Sequence, residues 1–140
     1  MLKVFITLIL LSQPALAIDF MGYANRRSQL NRRDISGYGT YFTPYQDACS
    51  KNGESSSEFE MIAASSRFEI GLKTGENTEQ AAMCGKCIKV QGPKGSVIVK
   101  IRDICPSCRR GDIDLTEAAF KKIADPDQGR VKVTWKRTKC

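Results

Sequence analysis

Four of the six cysteines in this sequence fall as Cys84-x2-Cys87 and Cys105-x2-Cys108, with seventeen residues between the two pairs. Thiolates at that spacing can close a tetrahedral zinc site of the ribbon type. The second pair, Cys105-Pro106-Ser107-Cys108, also has the spacing of a redox dithiol. That chemistry sits where a strand runs into a helix in a thioredoxin-like setting. No such alternation surrounds this pair, and Arg109, Arg110 and Gly111 follow it, so a structural clip is the better reading. The sequence contains no histidine. A Ser-His-Asp or Cys-His nucleophile therefore cannot be assembled, and a metal site loses its commonest ligand.

Carboxylate chemistry stays open. Glycoside hydrolysis needs an acid and a base or nucleophile about 5 to 9.5 Å apart. Asp103 and Asp114, on either side of the Cys-Pro-Ser-Cys loop, are the carboxylates of interest. Each also has a structural role open to it. Asp114 precedes Leu115-Thr116-Glu117 and can cap a helix, as Thr116 can. Asp103 can brace the loop or pair with Arg102 or Arg109.

The compartment weighs between zinc and disulfides. Lys3, an apolar run from Val4 to Leu11, and Ala15-Leu16-Ala17 have the order of a signal peptide, with cleavage expected before Ile18. The run is too short to span a bilayer, and no later stretch approaches membrane length, so no membrane partner is expected. Removing residues 1–17 leaves 123 residues, one domain with one modest core. All six cysteines, Cys49, Cys84, Cys87, Cys105, Cys108 and Cys140, survive cleavage. An even number in an exported chain implies a disulfide framework, and a four-thiolate site would leave Cys49 and Cys140 without a role. Spacing alone does not choose the pairing. No metal or cofactor is expected, and the protein should be extracellular.

The net charge of +7 becomes +6 once Lys3 is removed. Such a balance draws a protein toward polyanionic surfaces such as acidic wall polysaccharides, or is simply a solvated basic surface. The basic residues are scattered and carry no recognition helix or aromatic motif, so no nucleic-acid partner is expected.

Residues 18–36 are polar, hold Arg26-Arg27 and Arg32-Arg33, lack apolar periodicity, and read as a flexible basic arm. Gly37 to Phe42 reads as a strand before Pro44. Cys87 to Val90 and Val97 to Ile101, joined by Gly92-Pro93-Lys94-Gly95, read as a hairpin. Met61 to Ala64 is a short apolar run, and Arg67 to Leu72 a turn or helical piece. Leu115, Ala119 and Ile123 recur every four residues beside Phe120, which predicts one short amphipathic helix ending before Pro126. Val131 to Trp135 alternates as a closing strand. The fold class is mostly β with one short helix, a small barrel rather than a sandwich.

Gly37-Tyr38-Gly39-Thr40-Tyr41, Ala48-Cys49, Cys84-Gly85-Lys86-Cys87, Gly92-Pro93-x-Gly95, Asp103-Ile104-Cys105-Pro106-x-Cys108, Gly111-Asp112-Ile113-Asp114-Leu115-Thr116, Ala119-Phe120 and the ending Gly129-Arg130-Val131-x-Val133-x-Trp135-Lys136-Arg137-Thr138-x-Cys140 together resemble the first domain of expansins. The same order of motifs is found in barwin, plant natriuretic-peptide-like proteins, the bacterial rare lipoprotein A domain and the Streptomyces papain inhibitor. The resemblance covers residues 37–140 and implies a six-stranded, disulfide-stabilised double-psi β-barrel with a shallow groove on one face. It implies a polysaccharide groove of Thr40 and Tyr41 with Asp103 and Asp114 across from them. The expansin pattern further implies Cys49–Cys84 and Cys87–Cys140, which leaves Cys105 to close on Cys108.

The departures narrow the function. Cys105 stands where expansins place an aromatic residue two positions after the first aspartate, and Asp112-Ile113-Asp114 replaces a His-Phe-Asp triplet. No second catalytic carboxylate of the kind used by family 45 glycoside hydrolases matches near Thr40. The chain ends at Cys140, so no second, carbohydrate-binding domain is expected. The reading is a secreted, monomeric, non-enzymatic expansin-like protein that binds cell-wall polysaccharide. The alternative is an inhibitor of papain-like cysteine proteases, and a weak glycan hydrolase or lyase comes third.

Overall fold

Six strands carry the fold of the computed structural model, which describes residues 34–140. The expected signal peptide and the arm before Asp34 lie outside the described residues. In chain order the elements are β1 (Ile35–Phe42), β2 (Ile62–Ser66), β3 (Cys87–Gln91), β4 (Ser96–Cys105), β5 (Ile113–Thr116), the single helical turn α1 (Glu117–Phe120) and β6 (Val131–Thr138). Short 3-10 turns occupy Thr78–Gln80 and Pro126–Gln128. The strands close into a barrel in the order β1-β5-β2-β4-β3-β6, the closed six-stranded architecture that the resemblance implies. β1 with β5 and β2 with β4 are parallel, and the other neighbours are antiparallel.

Alternation fills the interior. Ile88 and Val90 of β3, Val99 and Ile101 of β4, Ile113 and Leu115 of β5, and Val131, Val133 and Trp135 of β6 all point into one core. Phe120 and Ile123 join them from α1 and the turn that follows. Full burial of each such side chain contributes about 1.5–3 kcal/mol relative to exposure.

The chain crosses itself where β1 meets the loop before β5. A Cβ on Gly37 would lie 2.1 Å from the Gly111 carbonyl oxygen, and one on Gly111 would lie 2.2 Å from that of Ser36. Gly111 also has a φ of +85°, so no other residue type suits the crossing. The buried Trp135 Nε1–H locks it by donating to the Gly111 carbonyl at 2.8 Å.

Three details differ from the sequence expectations. β1 begins at Ile35, two residues ahead of Gly37, because Ile35 and Ser36 pair with Trp135 and Thr134 of β6. The helix is a single turn. Beyond it Lys122 and Ile123 N–H donate to Ala119 and Phe120 carbonyls in the tighter three-residue pattern. The Ile123 carbonyl instead accepts from Lys94 N–H in the β3–β4 turn. Finally, β2 and β5 are strands where the sequence showed only an apolar run and a helix start.

Candidate functional site

A single row of residues runs across four neighbouring strands. Thr40 on β1 is the register partner of Asp114 on β5, Asp114 that of Ala64 on β2, and Ala64 that of Asp103 on β4. The adjacent row, Ile101, Ala63 and Leu115, belongs to the core, so alternation places the Asp103 and Asp114 carboxylates on the outer face. Ala64 keeps that face low between them.

A bulge makes this arrangement possible. β4 alternates inward at Val99 and Ile101, which would send Asp103 into the core. Between Ala63 and Ala64 the pairing slips so that Arg102 is an extra residue on β4. One inserted residue flips every later side chain, so Asp103 faces out and Ile104 packs against the core.

Asp114 Oδ1 accepts the Thr40 hydroxyl at 2.7 Å. Burial raises the Asp114 carboxyl above its ordinary 3.8, the Thr40 hydrogen bond opposes this, and the nearby charge of Asp103 adds to it. Asp103 Oδ1 accepts the Ala48 and Ile104 N–H groups at 3.0 and 2.8 Å. Burial raises its carboxyl too, against those two hydrogen bonds and with help from Asp47. Asp103 therefore braces the loop that carries Cys49 and makes no ion pair with Arg102 or Arg109. Arg102 reaches Asp47 instead, at 3.4 Å. Asp47 is buried and also accepts Ser56 N–H, a loop anchor that nothing in the local sequence signals.

Asp114 does not cap the helix. It lies inside β5, and Thr116 occupies the N-cap position. The Thr116 hydroxyl does not cap either, because it donates to the Glu60 carbonyl at 2.6 Å. Tyr41 parts from the row. Next to Thr40 on a strand it points the opposite way, and its half-exposed ring tilts onto Phe120 with centroids 5.0 Å apart. Thr40, Asp114 and Asp103 are thus brought together, and Tyr41 is not.

The disulfides are Cys49–Cys84, Cys87–Cys140 and Cys105–Cys108, with Cα separations of 5.4, 5.2 and 5.3 Å. The four ribbon-spaced cysteines are consumed in them, and among the described residues no cluster of three or more acidic, cysteine or histidine side chains is placed to hold a metal. A row of two partly desolvated carboxyls and a hydroxyl on the outer face can donate and accept hydrogen bonds to polymer hydroxyls. A cavity of about 500 Å³ lies elsewhere, along β1, β6 and β3, lined by Tyr38, Gln91, Gly92, Lys132, Val133 and others, and none of the row residues lines it.

A family model described as "Lytic transglycolase" matches residues 36–135. The chain is 35% identical over 109 residues to an EG45-like domain containing protein of Citrus jambhiri, covering 69% of this chain and 76% of that one. It is 34% identical to the papain inhibitor of Streptomyces mobaraensis, covering 73% and 70% respectively. Expansin-YoaJ of Bacillus subtilis is 37% identical over 61 residues, so the matched part spans only 26% of that protein. Among solved structures, the Streptomyces papain inhibitor superposes with a TM-score of 0.66 at 32% identity, over 76% of this chain and 96% of that one. A mutant Clavibacter michiganensis expansin in complex with cellohexaose superposes at 0.61 and 27% identity, over 76% of this chain and 51% of the expansin. With the closed barrel, the bulged carboxylate row and a family match across nearly all of the described residues, the chain belongs to the expansin-like double-psi β-barrel family.

Proposed function

We propose that this is a secreted, monomeric, non-enzymatic protein that binds cell-wall polysaccharide along the Thr40, Asp114 and Asp103 row. The observation that carries the reading is the outward row itself, with the small Ala64 between its two carboxyls and the Arg102 bulge aiming Asp103. An expansin of similar fold was crystallised with cellohexaose, which supports a glucan-type ligand. Three disulfides fit an oxidising, extracellular setting.

The reading includes no glycan cleavage, although the family description names a lytic activity. Asp103 has one oxygen committed to two backbone N–H groups, which suits a brace better than a mobile base. Asp114 is the only carboxyl of the row left with a single hydroxyl partner.

A second reading is inhibition of papain-like proteases. The match to the papain inhibitor spans 96% of that structure, against 51% of the expansin. Co-sedimentation with cellulose, chitin and peptidoglycan, run beside a papain inhibition assay, separates the two. Binding without inhibition supports the groove, and inhibition without binding replaces it.

A further inference from the structure

One side of the carboxylate row is edged by two arginine side chains held in the same unusual way. The Arg130 guanidinium lies over the Tyr38 ring at 4.1 Å and reaches Asp112 Oδ2 at 3.6 Å. The Arg110 guanidinium lies over the Phe68 ring at 5.3 Å and reaches Glu69 Oε1 at 3.7 Å. In both, the anchoring carboxylate is largely buried, at 14% and 11% exposure, while the arginine is 52% and 74% exposed. A ring beneath and an acid beside it restrict each guanidinium, and much of it stays exposed to water. An exposed, restrained guanidinium can take a carboxylate through two parallel hydrogen bonds.

Both arginines are tied to the same side of the row. Tyr38 stands two residues before Thr40 on β1, so the two share a face, and its N–H donates to Asp112 Oδ1 at 2.8 Å. Asp112 in turn stands two residues before Asp114. Phe68 follows the end of β2, and Arg110 lies in the loop that enters β5. β5 lies between β1 and β2, so the two aromatic supports stand on opposite sides of that strand. An acidic sugar chain that carries a carboxylate on every residue can offer one to each arginine. The net charge, +7 for the full sequence and +6 without Lys3, favours the approach of such a polymer.

We infer that Arg110 and Arg130 form a carboxylate-recognition rim, and that the glycan class this protein prefers is a polyuronate. The inference rests on the groove reading for the direction in which the chain lies. It adds a site that a neutral glucan does not use.

The test is titration calorimetry at low ionic strength with hexagalacturonate and cellohexaose. The variants are the double substitutions Arg110→Gln with Arg130→Gln and Arg110→Lys with Arg130→Lys, each checked by its melting curve. The glutamine pair weakens hexagalacturonate about 10-fold or more and leaves cellohexaose unchanged. The lysine pair keeps the charge but lacks the planar fork, and it does not restore the loss. Wild-type affinity in the lysine pair would overturn the rim, since charge alone would then suffice. Equal loss for both glycans in the glutamine pair would overturn it as well. Arginine-dependent hexagalacturonate binding in a wild type that ignores cellohexaose would uphold the rim and sink the groove reading.

Discussion

Asp103 and Asp114 are register partners of one residue, Ala64, and flank it from the two neighbouring strands. Only a methyl group stands between them, and the hydroxyl of Thr40 completes the row at 2.7 Å from Asp114. Each consequence of this arrangement can be measured.

The first concerns pH. Burial holds both carboxyls above 3.8 in the folded chain, so the folded state keeps these protons more tightly than the unfolded one. Their contribution to stability is therefore full below 3.8 and declines as pH rises through the raised folded values. Asp114→Asn removes one of these titrations and can still accept the Thr40 hydroxyl. Its melting temperature relative to wild type should rise from acid to neutral pH. An advantage that grows toward acid would contradict the desolvated carboxyl.

The chain crossing gives a second prediction. Gly37→Ala drives a methyl group into the Gly111 carbonyl and should destabilise by about 3 kcal/mol or more, seen as a lower denaturation midpoint. Gly53→Ala should cost far less, because no atom lies within 4 Å of the added carbon even though φ is positive there. Equal effects would mean that the crossing is looser than described.

Much of the frame was legible in the sequence, and the reason differs by element. β1, the β3–β4 hairpin and β6 announce themselves through aromatic and β-branched alternation bounded by Gly and Pro. β2 does not, because Ile62-Ala63-Ala64-Ser65-Ser66 is buried along its whole length and has no polar face to alternate with. β5 is four residues long and runs directly into α1, so its Asp114 resembles a helix cap. The bulge at Arg102 has no local signature, yet it decides which way Asp103 points. Tyr41 was grouped with Thr40 by motif, and strand alternation separates them. The stacked Arg110 and Arg130 are far in sequence from their rings, so only the fold brings them together.

Disulfide loss should follow loop length. Cys87–Cys140 closes a separation of 53 residues and Cys105–Cys108 one of 3. Loop-entropy models assign the first about 4 kcal/mol and the second far less. Paired Cys→Ser variants compared by denaturant unfolding should rank in that order. A larger loss for the short clip would show that it orders the loop beside Asp103 beyond its entropy.

Removing the Asp47 anchor should loosen the loop that Asp103 braces. Asp47→Ala leaves Arg102 without its partner and Ser56 N–H without its acceptor, and should cost about 2–3 kcal/mol. Hydrogen exchange at Ala48 and Ser56 amides is the direct reading. Unchanged protection there would contradict the anchoring role.

The role of Asp114 in the groove is read most directly from cellohexaose binding by wild type and Asp114→Asn across a salt series. Exposed charges are screened beyond about 8 Å at physiological ionic strength, so any binding that survives added salt belongs to short-range contacts in the groove. Salt-resistant binding is expected, falling about 10-fold or more in Asp114→Asn, with the melting temperature at neutral pH no lower than that of wild type. Undiminished binding in a variant whose melting temperature drops sharply would make Asp114 a structural residue and leave the groove without its central group.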